Sequence, residues 1–198
     1  MSFEQAIRVP LERIGVVIGR EGATKRSLER ELGIKLGVDS KEGVVIVRSD
    51  SAESGDPLVA VRVIEAIGRG FSPQHAKLLL EAETAFEVID LRDFGRSANS
   101  LDRIRGRVIG LKGKSRRVIE ELTQCHLSVY GRTVAIIGEP SEVQLASEAV
   151  KKLASGSQHR TVYNELQRAR TKRKMERMIL WEGTNPDLIE GKLQKTEE

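Results

Sequence analysis

Two pairs of glycines, each spaced three apart and followed by a cluster of cations, are the residues of this 198-residue sequence best suited to chemistry. The first is Gly19-Arg20-Glu21-Gly22, with Lys25 and Arg26 behind it. The second is Gly110-Leu111-Lys112-Gly113, with Lys114, Arg116 and Arg117 behind it. Glycines let a main chain turn sharply and approach a phosphate with no Cβ in the way. A helix beginning just after such a turn adds unpaired N–H groups and the positive end of its dipole, so the pattern suits an anionic backbone. The two loops differ in charge. Arg20 and Glu21 offset one another in the first, whereas no acid stands between Gly110 and Arg117 in the second, which predicts the tighter grip there.

Other chemistry finds little support. Gly113-Lys114-Ser115 mimics the end of the nucleotide-binding GxxxxGK[ST] loop, but the glycine required five positions earlier is Val108. His75, His126 and His159 are scattered without metal-ligand spacing or a nucleophile-and-acid set, so neither a catalytic site nor a metal or other cofactor is expected. The single cysteine, Cys125, excludes an intramolecular disulfide and gives no sign of an oxidising compartment.

The elements that must position the loops repeat. RIGVVIGREG (13–22) and IRGRVIGLKG (104–113) align without a gap at an offset of 91 residues, which places Gly15 on Gly106, Leu28 on Ile119, Leu36 on Leu127 and Val38 on Val129. Cys125 falls on Ile34 and is expected to fill the same apolar slot. Each copy opens with alternating residues that read as a strand, Phe3–Val9 or Ala85–Leu91. A short helix then leads into the glycines, and helices are predicted after them over 24–32 and 115–122. Two strands follow, at Lys35–Val38 and Val44–Val47 in the first copy and at His126–Tyr130 and Thr133–Ile137 in the second. Apolar stripes predict closing helices over Pro57–Ile67 and Ser141–Leu153. Ser72-Pro73 reads as a cap and first helical residue of a connecting helix running to Glu83, packed between the copies. This order makes an α+β fold, two small antiparallel sheets each covered by helices on one face.

After the small residues 154–157, a glycine- and proline-free stretch from Arg160 to Trp181 predicts one helix. It is basic through Arg168, Arg170, Lys172, Arg173, Lys174 and Arg177, then apolar through Met175, Met178, Ile179, Leu180 and Trp181. Docking on a domain and binding of RNA or a partner both remain open for it. A polar tail is expected over 183–198. With 39% hydrophobic and 31% charged residues the chain is compositionally an ordinary folded protein, and its net charge of +4 suits a polyanionic partner. Seven aromatic residues are too few for a module that stacks bases on sheet aromatics. No apolar run is long enough to span a bilayer and MSFEQAIRVP carries no signal pattern, so a cytoplasmic location without membrane contact is expected.

Val17-Ile18-Gly19-Arg20-Glu21-Gly22 and Val108-Ile109-Gly110-Leu111-Lys112-Gly113 resemble the V-I-G-x-x-G signature of KH domains, whose GxxG loop clamps about four nucleotides of single-stranded nucleic acid. The resemblance spans residues 3–155 and implies two tandem type I KH domains, 1–71 and 84–155, joined by a helix over 72–83 and followed by a basic helix and tail over 156–198. Val17, Ile18, Val108 and Ile109 would then border an apolar groove that discriminates bases, while the basic residues meet phosphates. The arrangement, with GRVIGLKGKSRRVIEELT and RTVYNELQRARTKRKMERMILWEG, is similar to the archaeal branch of the partner-of-Nob, or Dim-two, family. Eukaryotic members are understood to lack the first GxxG loop, which stands here. Membership implies RNA binding near the 3′ end of small-subunit ribosomal RNA during subunit assembly, without catalysis. The Nob endonuclease and the alpha subunit of initiation factor two are the implied partners. A translational or messenger-RNA regulator, or a protein-interaction adaptor in translation initiation, would use the same folds differently.

Overall fold

The computed structural model describes residues 3–49 and 56–184. Each half builds a three-stranded antiparallel sheet. In the first, β1 (Phe3–Arg8) and β2 (Lys35–Asp39) flank β3 (Val44–Ser49), and in the second, β4 (Ala85–Asp90) and β5 (His126–Tyr130) flank β6 (Thr133–Gly138). Val38 lies opposite Val45 and Val129 opposite Val134, so the offset falls from 91 to 89 in the last strand, because the second hairpin turn is two residues shorter.

Helices α1 (Leu11–Ile18), α2 (Ala23–Leu32) and α3 (Pro57–Gly68) cover one face of the first sheet. Asp56 starts α3 by accepting from the backbone N–H groups of Leu58 and Val59, with Pro57 at the first helical position. The second sheet is covered by α5 (Ala98–Ile109), α6 (Lys114–Thr123) and α7 (Pro140–Ala154). A glutamate ties the second helix of each set to its sheet. Glu29 accepts from the Leu36 N–H at 2.9 Å, and Glu120, 91 residues on, accepts from the Leu127 N–H at 2.8 Å. Ile34 and Cys125 are both buried in equivalent slots, and burial pushes the Cys125 thiol up to about 11.

The connection between the halves is shorter than the helix expected to run to Glu83. Ser72 caps α4 (Pro73–Ala76) by accepting from the His75 N–H, one 3₁₀ turn follows over Lys77–Leu80, and Glu81 is already extended. A turn in which the Thr84 N–H donates to the Glu81 carbonyl at 3.1 Å then feeds the chain into β4 at Ala85. Leu79 meanwhile drops into the first core, and Lys77 donates to Ser27 (2.8 Å) and Glu31 (2.6 Å) on α2.

The two sheets differ in what covers their backs. On the first, Glu4 and Arg48 meet at 3.0 Å in solvent. The second is apolar on both faces: Val134 and Ile136 join its own core, while Ala135 and Ile137, with Phe86 and Val88 of β4, join the core of the first half. Polar contacts seal this junction. Ser128 donates to the Arg69 carbonyl at 2.9 Å, Tyr130 donates to Glu12 at 2.9 Å, and His75 stacks on His126 at 4.4 Å. Arg13, whose Nε donates to the Ile67 carbonyl, lies 6.0 Å from the Tyr130 ring centre. Burial, and secondarily the neighbouring His75, holds His126 below its ordinary pKa.

The last helix, α8 (His159–Thr184), covers the expected Arg160–Trp181. Val162 and Leu166 are buried in the second core. Of the expected tail, residues 185–198 lie outside the described residues, and so do the side chains of Arg177, Leu180 and Trp181.

Candidate nucleic-acid interface

Both glycine loops sit in the crossing between two helices, α1 and α2 in one half and α5 and α6 in the other, and their backbones are nearly superimposable. Gly19 and Gly110 have φ/ψ of 74/176° and 71/174°, Glu21 and Lys112 have 51/27° and 51/31°, and Gly22 and Gly113 both have 76/14°. A tight turn holds each: the Gly22 N–H donates to the Gly19 carbonyl at 3.2 Å, and the Gly113 N–H to the Gly110 carbonyl at 3.1 Å.

The two glycines of a pair have different jobs. A Cβ on Gly19 would lie 2.2 Å from Thr24 Oγ1, and one on Gly110 would lie 2.6 Å from Ser115 Cβ, so the first glycine lets the loop press on the helix behind it. A Cβ on Gly113 would meet nothing within 4 Å, and one on Gly22 would only reach Arg26 at 4.0 Å. The second glycine therefore leaves the outer side of the turn bare. Behind it, α2 and α6 begin with neither a side-chain cap nor an acid in the first turn. Their N-terminal amides and dipoles are left to whatever meets the loop.

The cations sort into two kinds. Lys25 and Arg116, equivalent under the repeat, face Glu29 at 3.9 Å and Glu120 at 3.7 Å and are partly neutralised. Arg20, Arg26, Lys112 and Lys114 are exposed and make no ion pair among the described residues. Arg117 donates to the Lys112 carbonyl at 2.9 Å, clamping the tip of the second loop. Its counterpart Arg26 makes no such bond among the described residues. Glu21 remains at the tip of the first loop, and Leu111, 85% exposed, stands at the tip of the second.

Of the four apolar residues expected to border a groove, Val17 and Val108 do not: both are completely buried, because the helix turns them toward the sheet. Ile18 and Ile109, one residue on, are half-buried beside the loops. Sequence reasoning missed three positioning groups. These are the glutamates at 29 and 120, for which the shared offset of 91 was an available signal, the Arg117 clamp, and Arg105. The last donates to the Gly131 carbonyl at 3.2 Å, joining α5 to the β5–β6 turn. Nothing local in the sequence marks the last two. Among the described residues no group of three or more His, Cys, Asp or Glu is placed to hold a metal ion.

A three-stranded antiparallel sheet backed by three helices, with a GxxG turn between the first two, is the type I KH domain, and the chain carries two. Family models agree: residues 85–171 match that of the second KH domain of PNO1, described as a eukaryotic type KH-domain (KH-domain type I), and residues 4–58 match the KH domain. The KH domain-containing protein MJ0443 of Methanocaldococcus jannaschii is 46% identical over 180 residues, 89% of this chain and 78% of the relative. The pre-rRNA-processing protein PNO1 of Chaetomium thermophilum is 29% identical over 106 residues, 52% of this chain and 41% of that one. The crystal structure of an a/eIF2alpha–aDim2p–rRNA complex from Pyrococcus horikoshii holds a chain 42% identical with a TM-score of 0.80, aligned over 86% of this chain and 96% of the other. The protein belongs to the archaeal PNO1/Dim2 family of tandem KH-domain proteins.

Proposed function

We propose that this protein binds single-stranded RNA near the 3′ end of small-subunit ribosomal RNA during assembly of the small ribosomal subunit, through both glycine loops. One observation carries the reading: two copies of one backbone turn, each bare on its outer side, each set at the uncapped start of a ten-residue helix. Main-chain amides and cations there meet phosphates, and Ile18 and Ile109 border the groove where bases lie. Gly19, Arg20, Glu21, Gly22, Lys25 and Arg26 form the first contact surface. Gly110, Leu111, Lys112, Gly113, Lys114, Arg116 and Arg117 form the second and stronger one.

The relatives support the biological setting: one is named for pre-rRNA processing, and another was solved with rRNA and a/eIF2alpha. The alpha subunit of initiation factor two is accordingly a partner of this chain, and the Nob endonuclease is a second. The protein works in the cytoplasm as a binding factor and catalyses nothing itself. Replacing Leu111 and Lys112 together by Asp sets two like charges against the strand and should weaken single-stranded RNA binding by roughly 30- to 100-fold, or about 2–3 kcal/mol. Unchanged affinity in a fluorescence-anisotropy titration would refute the loop assignment. Crosslinked RNA scattered over messengers, rather than clustered at the 3′ end of small-subunit rRNA, would refute the setting.

A further inference from the structure

The far half of α8 leaves the second core and runs over a cavity of about 520 Å³. Leu122 and Gln124 at the end of α6, Leu145 on α7 and Met178 on α8 line it, and Arg170 and Lys174 stand at its edge. Glu142 on α7 holds Arg173 on α8 at 3.1 Å, with both side chains largely out of solvent, so the helix is pinned above the cavity. Past this pin α8 leaves Met175, Met178 and Ile179 exposed at 59%, 54% and 66%. Of these, Met178 opens into the cavity between Arg170 and Lys174, whereas Met175 lines a separate groove along α8.

We propose that this cleft docks an acidic, amphipathic segment of a protein partner, with apolar side chains entering between Leu122, Leu145 and Met178 and carboxylates meeting Arg170 and Lys174. Charge complementarity selects the sign of the partner, since from Arg168 to Met178 the helix has six cations and one acid. The lining selects a protein over RNA. Its apolar part is Leu122, Leu145 and Met178, and among the described residues no aromatic ring lines it on which a base could stack. The cleft also lies at the opposite end of α6 from the glycine loop, about 15 Å away for a ten-residue helix at about 1.5 Å per residue. A partner can therefore sit here while the loop is occupied.

The test uses the full chain and labelled synthetic helical peptides of roughly 18 residues with leucines at i, i+3, i+4 and i+7. One version carries glutamates elsewhere, a second lysines, and a third glutamates with the leucines replaced by serine. The first should bind saturably, with the other two about tenfold weaker. Leu145→Asp and the exposed Arg170→Glu should each weaken it at least fivefold, with RNA affinity unchanged within twofold. The Arg170 variant keeps the test valid if the Leu145 variant misfolds. Equal binding of the three peptides, no effect of Arg170→Glu, or displacement of the first peptide by a single-stranded RNA oligonucleotide would each overturn the proposal, the last by giving the cleft to RNA.

Discussion

Gly110→Ala and Gly113→Ala change the same residue type three positions apart, yet the structure assigns them opposite consequences. At Gly110 the backbone, φ/ψ 71/174°, lies in a region essentially reserved for glycine, where a side chain costs about 1–3 kcal/mol. The new Cβ would also lie 2.6 Å from Ser115 Cβ and 2.7 Å from its amide nitrogen. Neither atom can swing away, because Ser115 is buried at the start of α6, so overpacking adds about 1–3 kcal/mol. The middle of the sum, about 4 kcal/mol, corresponds to a fall in Tm of roughly 8–16 °C for a chain of this size. At Gly113 the backbone is left-handed and the space is open, so only about 1 kcal/mol, or roughly 2–4 °C, is lost. RNA binding runs the other way for equally folded protein, since the Cβ of Gly113→Ala occupies the bare side of the turn. Urea denaturation and RNA titration of both variants check this. Equal destabilisation, or Gly113→Ala binding RNA as the parent does, would refute the division of labour between the glycines.

Three further outcomes follow from named contacts. Lys114→Ala should reduce the slope of log affinity against log salt by about 0.7, whereas Arg116→Ala, already facing Glu120 at 3.7 Å, should reduce it by less. His126 is held below its ordinary pKa of 6.5, so the unfolded chain binds protons before the folded one does. Its contribution is therefore present above about pH 6.5 and lost as pH falls, and His126→Gln should flatten the acid side of a Tm-versus-pH curve. Cys125, buried and with its thiol pushed up to about 11, should react with a disulfide reagent at pH 8 only as fast as the protein opens, which stopped-flow absorbance with and without urea will show.

The repeat made much of this legible. An offset of 91 residues carries the glycine loops, both helices after them, the strand order and the Ile34–Cys125 slot, because each depends on local pattern. Helix periodicity could not tell Val17 from Ile18 as groove or core, since adjacent apolar residues both read as apolar while the helix turns only one toward the sheet. The junction between the halves was invisible for a different reason. The Tyr130–Glu12 contact joins residues 118 apart, and no period or motif links such positions. The strands themselves do not give it away, since Val44–Val47 and Val134–Ile137 are both unbroken runs of four apolar residues, yet only the second sheet is covered on both faces.

That double covering sets how the molecule can be dissected. A fragment cut near Ala82 would bare Phe86, Val88, Ala135 and Ile137 together, a sticky apolar sheet that invites self-association. Neither half is then a free-standing bead on a string. The two should melt in one transition, and an RNA strand spanning both loops would meet a ruler of fixed length, with no hinge to let the loops choose their own separation.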